Sequence, residues 1–274
     1  MKPAPFDYVR AKSVDEAVRL LASETSDSMP IAGGQSLLPL LALRMTQPKQ
    51  VVDIGRLDAL RRSEDGASCV SIGAGVTHAE IEDGRVPDPG NGLMRRIAGG
   101  IAYRAVRNQG TIGGSIALAD PAADWPVCLI ALQARARIAG PNGERSMLVD
   151  ELIEGIFTTR LERGELIVGF DIPRLPGSAR TGVAKVARKT GAFAMSLAIA
   201  VADNAASRVV LGGAGDRALR LIHTSELLAS GKGSDRSLRE AVAADLDAID
   251  SESDAYARRL HAATVVRAIA EARP

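Results

Sequence analysis

Apolar residues at positions 14, 17, 18 and 21 recur at helical spacing. The run Ser13, Val14, Asp15, Glu16 has the form of a capping box, in which the serine oxygen accepts from the N3 amide while the glutamate reaches back. A first amphipathic helix ending near Ala22 is predicted. Residues 23–30 read as a polar loop, 29–32 as a short strand, 37–45 as a helix that tolerates Pro39 in its first turn, and 51–54 as a compact buried strand. Strand, helix and strand in such short succession form a βαβ unit, parallel with a right-handed crossover.

Residues 70–76 alternate as a half-buried strand does, and Thr77, His78, Ala79, Glu80 form a second capping box, which places His78 in a helical first turn, where an exposed or locally bonded histidine is the commoner use and a ligand contact the alternative. Residues 93–106 read as one helix with Ile97, Ala98, Ile101 and Ala105 near a single stripe, and 126–132 as a further apolar helix. Segments 134–139 and 145–149 flank Pro141, Asn142 and Gly143, which favour a hairpin, and Leu166, Val168, Phe170 and Ile172 alternate up to Pro173 as a strand. Residues 175–178 are the best linker. Beyond them, 183–188, 193–202 and 207–211 read as three antiparallel strands and 224–229, 237–246 and 253–272 as helices. The pattern is α+β, with a smaller C-terminal domain of antiparallel sheet and helices.

Composition narrows the partners. The 274 residues are 46% hydrophobic, enough for a substantial core. With 34 basic against 33 acidic residues, the net charge of +1 supplies no field for nucleic acid or an anionic membrane. At 3% aromatic residues, platforms for base stacking are few. Cys69 and Cys128, the only cysteines, stand far apart and read as buried reduced thiols, so neither an iron–sulfur cluster nor a zinc site is expected from this chain alone. The N-terminus lacks an apolar signal core and no long apolar run occurs, so a cytoplasmic protein without membrane insertion is expected.

Two glycine pairs carry the candidate chemistry. Ala32, Gly33, Gly34, Gln35, Ser36 and Leu37 form one cluster; the other lies in residues 108–121. Each sets small hydroxyl or amide residues beside Gly-Gly ahead of an apolar run, as a backbone cradle for phosphate oxygens requires, and two cradles imply a diphosphate. Gly73 and Gly75 lack the third glycine of a dinucleotide fingerprint, and Gly231, Lys232, Gly233 lack the Walker hydroxyl. In the second cluster a helix precedes the glycines, the reverse of the Rossmann order. Ser36 and Ser115 lie outside any nucleophile-elbow motif, with only His78, His223 and His261 as potential bases. Asp120 and Asp124 suit a ribose hydroxyl; the alternative, an aspartate capping a helix that starts near Pro121, fits Asp120 better than Asp124.

The segments AGGQSLLPLLALRM (32–45), VRNQGTIGGSIALADPAADWP (106–126) and GELIVGFDIP (164–173) together resemble the FAD-binding medium subunits of the molybdenum hydroxylases, the xanthine dehydrogenase and carbon monoxide dehydrogenase family. The resemblance implies a PCMH-type FAD-binding domain over 1–175, divided into a small βαβ subdomain (1–55) and a larger mixed α+β subdomain (56–175), with a C-terminal medium-subunit domain over 176–274. It implies that Ala32, Gly33, Gly34, Gln35, Ser36 and Leu37 wrap the FAD pyrophosphate, that Thr111, Gly113, Gly114 and Ser115 hold the flavin-side phosphate and ribityl region, and that Asp124 takes the adenosine ribose. Leu166 or Ile167 would line the adenine side and Lys185 would reach the cofactor. Ser115 stands where many members have Asn, Leu118 where relatives often have His, and Gly191, Ala192, Phe193, Ala194 lack the aspartate of the family segment. Phe193 would cover the isoalloxazine without a hydroxyl, though a core strand aromatic is its commoner use.

The implied function is electron transfer, with no catalytic residue on this chain. A large subunit carries a molybdopterin cofactor, a small subunit carries two [2Fe-2S] clusters, FAD on this chain passes electrons to an external acceptor, and the protomers pair as a dimer of heterotrimers. The alternatives are a self-contained flavin oxidase of the vanillyl-alcohol oxidase type and a non-catalytic nucleotide-binding scaffold. The substrate would be selected on another chain.

Overall fold

Pairing with a later strand makes a strand of the first residues. In the computed structural model, which describes residues 2–24, 27–203, 206–231, 234–249 and 254–273, β1 (Asp7–Arg10), α1 (Val14–Ala22), β2 (Ser28–Ile31), α2 (Leu37–Ala42) and β3 (Gln50–Asp53) build a first lobe. Its sheet has the order β1-β3-β2, with β3 parallel to both neighbours. The predicted βαβ unit is β2-α2-β3, and β1 is an addition, since its residues are mostly exposed and carry no apolar alternation. Ser13 Oγ accepts from Glu16 N at 3.1 Å, but Glu16 reaches Lys12 N (2.7 Å), so the box closes one residue upstream. Ala17, Val18 and Leu21 are buried as the spacing requires.

The second lobe comprises β4 (Ser63–Asp65), β5 (Cys69–Gly73), α3 (His78–Glu82), α4 (Leu93–Gly99), α5 (Arg104–Arg107), α6 (Ile112–Leu118), α7 (Asp124–Ala131), β6 (Arg135–Gly140), β7 (Gly143–Leu148), α8 (Val149–Leu152), β8 (Ile153–Gly155), β9 (Thr158–Thr159) and β10 (Leu166–Pro173). Its five-stranded sheet has the order β4-β5-β10-β6-β7. β10 lies at the centre, antiparallel to β5 and β6, and a register shift between Ile167 and Gly169 breaks the predicted alternation. Leu166 therefore enters the first lobe's core and Ile167 the second's, with Val168 only half-buried.

The expected single helix over 93–106 is two. α4 stops at Gly99, and Ala102 at φ 44° turns the chain before α5. Arg107 holds that turn, donating to the carbonyls of Ile101 (2.9 Å) and Ala102 (3.0 Å) and to both oxygens of Glu82. Ala105 is consequently exposed. α7 starts at Asp124, not near Pro121, and Asp120 instead closes a local turn by accepting from Ala122 N at 2.9 Å. α7 is buried along its whole length.

After the 175–178 segment come β11 (Arg180–Ala187), β12 (Ala194–Ala202), β13 (Arg208–Gly212), β14 (Leu219–Arg220), α9 (Ile222–Ser230), α10 (Asp235–Ile249) and α11 (Ala255–Ala272). The sheet β11-β12-β13-β14 is antiparallel. β12 divides its side chains between two cores. Leu197, Ile199 and Val201 join α7 and the second lobe, while Ala198 and Ala200 face α9, α10 and α11. Small residues allow that second face its close approach: a Cβ on Gly182 would lie 1.9 Å from Ala268 O.

Cys128 is buried as expected, whereas Cys69 is only half-buried. Residues 25–26 of the 23–30 loop, 232–233 of the Gly231 segment and 253 of the last predicted helix lie outside the described residues. Among the described residues no helix is long and apolar enough to cross a membrane.

Asp245 of α10 orders the start of α9. Its carboxylate is buried and accepts from His223 N (3.0 Å), Thr224 N (2.8 Å) and Thr224 Oγ1 (2.6 Å). Asp245→Ala strands these donors and is expected to cost about 2 kcal/mol in urea unfolding. An unchanged midpoint would show that water replaces the carboxylate.

Candidate functional site

The two glycine clusters meet, although the intervening chain includes α2 and β3 of the first lobe and the second lobe as far as α5. A Cβ on Gly33 would lie 2.0 Å from Gln109 O and 2.9 Å from Gly110 Cα, so only glycine admits the contact. Around it runs a cleft of about 250 Å³ between the lobes, lined in part by Ala32, Gly33, Gly55, Thr77, Gln109 and Thr111. Arginines on its wall are paired with carboxylates: Arg61 with Glu80 at 2.6 Å, and Arg104 with Asp83 and Glu82, each at 2.7 Å. Hydrogen bonds from Arg107 first, and less strongly from Arg104, hold Glu82 below the usual carboxylate range, and the Arg104 hydrogen bond does the same for Asp83.

The first cluster is a loop with its amides unspent. Ile31 ends β2, Gly34 takes φ +70°, Leu38 N donates to Gly34 O (3.0 Å), and Gln35 Nε2 donates to Gly33 O (3.0 Å). Ser36 stands at the N-cap of α2 yet makes no side-chain cap bond, and Leu37 opens the helix. Among the described residues, no backbone acceptor takes the N–H groups of Gly33, Gly34, Gln35 or Ser36. Gly33 and Gly34 are half-buried, Gln35 and Ser36 are exposed, and Gly33 lines the cleft, so this row of amides is open to an anion arriving there.

The second cluster differs. Residues 110–113 lie antiparallel to 74–78, with His78 N donating to Gly110 O (2.9 Å), Ile112 N to Val76 O (3.0 Å) and Gly113 N to Ala74 O (2.9 Å). Thr111 is the N-cap of α6, its hydroxyl accepting from Gly114 N at 3.1 Å, and Ser115 N donates to Thr111 O at 3.1 Å. The amides of Gly113, Gly114 and Ser115 are thus spent within the fold. Gly113 is buried against Ala74, where a Cβ would fall 2.5 Å from the alanine's own Cβ. Gly114 is exposed, its added Cβ meeting only Thr111 Oγ1 at 2.9 Å. The glycines do follow a helix, α5, as read, but they also open another.

Asp124 and Lys185 find each other. Lys185 Nζ lies 2.7 Å from Asp124 Oδ1 and 3.4 Å from Gly100 O. Asp124 is 6% exposed, and burial raises its carboxyl above the ordinary value against the opposing pull of the Lys185 ammonium. Leu166 and Ile167 are both buried in packing, and neither lines the cleft. Phe193 is 63% exposed just before β12 and so is not a core strand aromatic. Its neighbour Ala194 donates to Ala122 O (3.3 Å), which sets Phe193 beside the loop leading to Asp124.

His78 corrects the sequence expectation. Its capping box forms in full, but the ring is buried and accepts from Trp125 Nε1 at 3.0 Å. Burial, with a contribution from the Arg107 guanidinium, lowers it to about 4. The contacts of Gln109, Gly110, His78 and Trp125 had no sequence signal, because each joins segments distant in the chain.

Residues 4–175 match the family described as the FAD binding domain in molybdopterin dehydrogenase. The chain is 34% identical over 277 residues to the 6-hydroxypseudooxynicotine dehydrogenase complex subunit alpha of Paenarthrobacter nicotinovorans, covering 99% of this chain and 94% of that one. It is 35% identical over 259 residues to the glyceraldehyde dehydrogenase medium chain of Sulfolobus acidocaldarius, covering 93% and 92%. Among solved structures it superposes with TM-score 0.92 and 33% identity on a chain of carbon monoxide dehydrogenase from Hydrogenophaga pseudoflava, covering 99% and 98%.

Proposed function

The chain belongs to the family of FAD binding domains in molybdopterin dehydrogenases, and from that membership we propose that it is the medium subunit of a three-chain hydroxylase or dehydrogenase. In this reading, electrons from the [2Fe-2S] clusters of a small partner subunit leave through FAD to an external acceptor, and a large partner subunit with a molybdopterin cofactor acts on the substrate. The chain is an oxidoreductase subunit, and relatives carry names such as medium chain and complex subunit. Two such protomers pairing in the cytoplasm complete the proposal.

The carrying observation is the row of unspent amides from Gly33 to Ser36, which begins at a cleft that Gly33 shares with Thr111, the N-cap of α6. This arrangement fits FAD: four amides are without a backbone acceptor among the described residues, and glycine at position 33 brings the two loops together. In the proposed arrangement the first loop donates amides to the diphosphate. Thr111, Gly113 and Gly114 shape the opposite wall, with Ser115 adding a hydroxyl. The Asp124–Lys185 pair offers a carboxylate oxygen for a ribose or ribityl hydroxyl and a cation for the flavin end, while Phe193 covers a ring face. Leu166 and Ile167 act by joining the two lobes, more than by touching adenine. When bound, FAD supplies the one- and two-electron redox chemistry.

The full chain, purified and titrated with FAD, is expected to take up one flavin per chain, with yellow absorbance that bleaches on dithionite. Colourless protein that binds no added FAD would overturn the proposal. Substrate turnover by the isolated chain would favour a self-contained oxidase.

A further inference from the structure

The buried His78–Trp125 bond belongs to neither loop of the proposed FAD site, yet it connects the parts that hold it. Trp125 Nε1 lies 3.0 Å from His78 Nδ1, with ring centroids 5.9 Å apart and tilted by 42°. Indole is only a donor, so Nδ1 must be bare and the imidazole proton sits on Nε2. The Nε2 edge of the same ring abuts the second loop: a Cβ on Gly110 would fall 2.8 Å from Nε2 and 2.9 Å from Cδ2. The His78 backbone adds a bond from its N–H to Gly110 O at 2.9 Å. Trp125, 0% exposed, directly follows Asp124, whose carboxylate holds Lys185.

We infer that His78 is a positioning residue: one neutral imidazole, held in a single tautomer, fixes the second loop at residues 110–115 relative to the Asp124–Lys185 pair at the head of α7. The inference rests on the FAD reading for its consequence, because a diphosphate cofactor gripped at both places needs their separation fixed. Charged groups around the imidazole are already engaged. Arg107 from α5 is bound to Glu82, Glu80 on the same helix is bound by Arg61 and Thr77, and Asp124 from α7 is bound by Lys185. None of these carboxylates hydrogen-bonds the ring, which leaves Trp125 as its hydrogen-bonding partner among the described residues.

The test compares His78→Leu, His78→Asn and Trp125→Phe in the full chain, reading the FAD dissociation constant, the visible circular dichroism of bound flavin, and amide exchange over residues 110–115. Asn places Oδ1 where Nδ1 stands and can still accept from the indole. The Leu and Phe variants are each expected to weaken FAD binding by about tenfold, the loss of one buried hydrogen bond. Both should change the flavin dichroism and speed exchange over 110–115. The double variant should be no weaker than either single one, and His78→Asn should restore affinity to within about threefold. Trp125 is the only tryptophan, so its emission reports the bond directly. It should change with a midpoint at about 4 in the wild type and not in His78→Asn. Equal losses in the Leu and Asn variants, or unchanged exchange over 110–115 in His78→Leu, overturn the inference. If the wild type takes up no FAD, the cofactor reading fails, while amide exchange in the unliganded chain still decides the positioning role.

Discussion

Gly114→Val is expected to yield a folded chain that retains no FAD. Gly114 is exposed in the first turn of α6, and an added Cβ meets nothing but Thr111 Oγ1 at 2.9 Å. The fold loses at most the Thr111 cap on Gly114 N, about 1 kcal/mol. The branched side chain, however, stands on the wall proposed to face the diphosphate, where a phosphate oxygen needs close access to the backbone. Gly113→Val is the contrasting control. Its Cβ would fall 2.5 Å from Ala74 Cβ and 2.7 Å from Ala74 O, so the pairing of 110–113 with 74–78 must give way and the second lobe unfolds more readily. Flavin stoichiometry and urea midpoints read the two outcomes separately. Full flavin content in Gly114→Val would remove this wall from the site.

Lys185→Met is expected to be the most destabilising change at the site, by about 3 kcal/mol, because it leaves the Asp124 carboxylate buried without its cation. Burial already raises this carboxyl above its ordinary value, and removing the ammonium raises it further. With the folded pKa above the unfolded one, the folded variant binds a proton that the unfolded chain releases, so its stability falls as pH rises. The deficit against wild type is therefore largest at neutral pH and narrows on acidification to about pH 5. Adding Asp124→Asn removes the buried charge and should recover much of the loss. Urea unfolding of the single and double variants at both pH values tests this. A deficit that does not change with pH, or one that Asp124→Asn leaves untouched, would mean the pair is not coupled as the 2.7 Å contact indicates.

The two glycine loops were legible in the sequence because their requirement is local: a tight approach or φ > 0 demands glycine wherever the chain later goes. Their unequal roles were not legible. Both read as cradles, but only the amides of residues 33–36 are left unspent; those of 113–115 are consumed by Ala74 O and by Thr111. Family resemblance marks Asp124 and Lys185 each as a cofactor contact, and nothing in the sequence tells that they bind one another.

The same division runs through the fold. Local physics specified the α1 start at Ser13, the α3 capping box at Thr77, the β6-β7 hairpin at Gly143, the C-terminal helices and the strands β11, β12 and β13, but not the short β14. Tertiary structure decided β1, a strand only because β3 offers it backbone partners, and the break between α4 and α5, held by Arg107 on the carbonyls of Ile101 and Ala102. It also decided the bulge that sends Leu166 and Ile167 into different cores, and the burial of His78 against Trp125. The sequence by itself determined the elements and the places where backbone must approach closely, since those depend on neighbours along the chain. Which amides stay free, which charges pair and which loops touch depend on groups that only folding brings within a few ångströms, and on these the site is built.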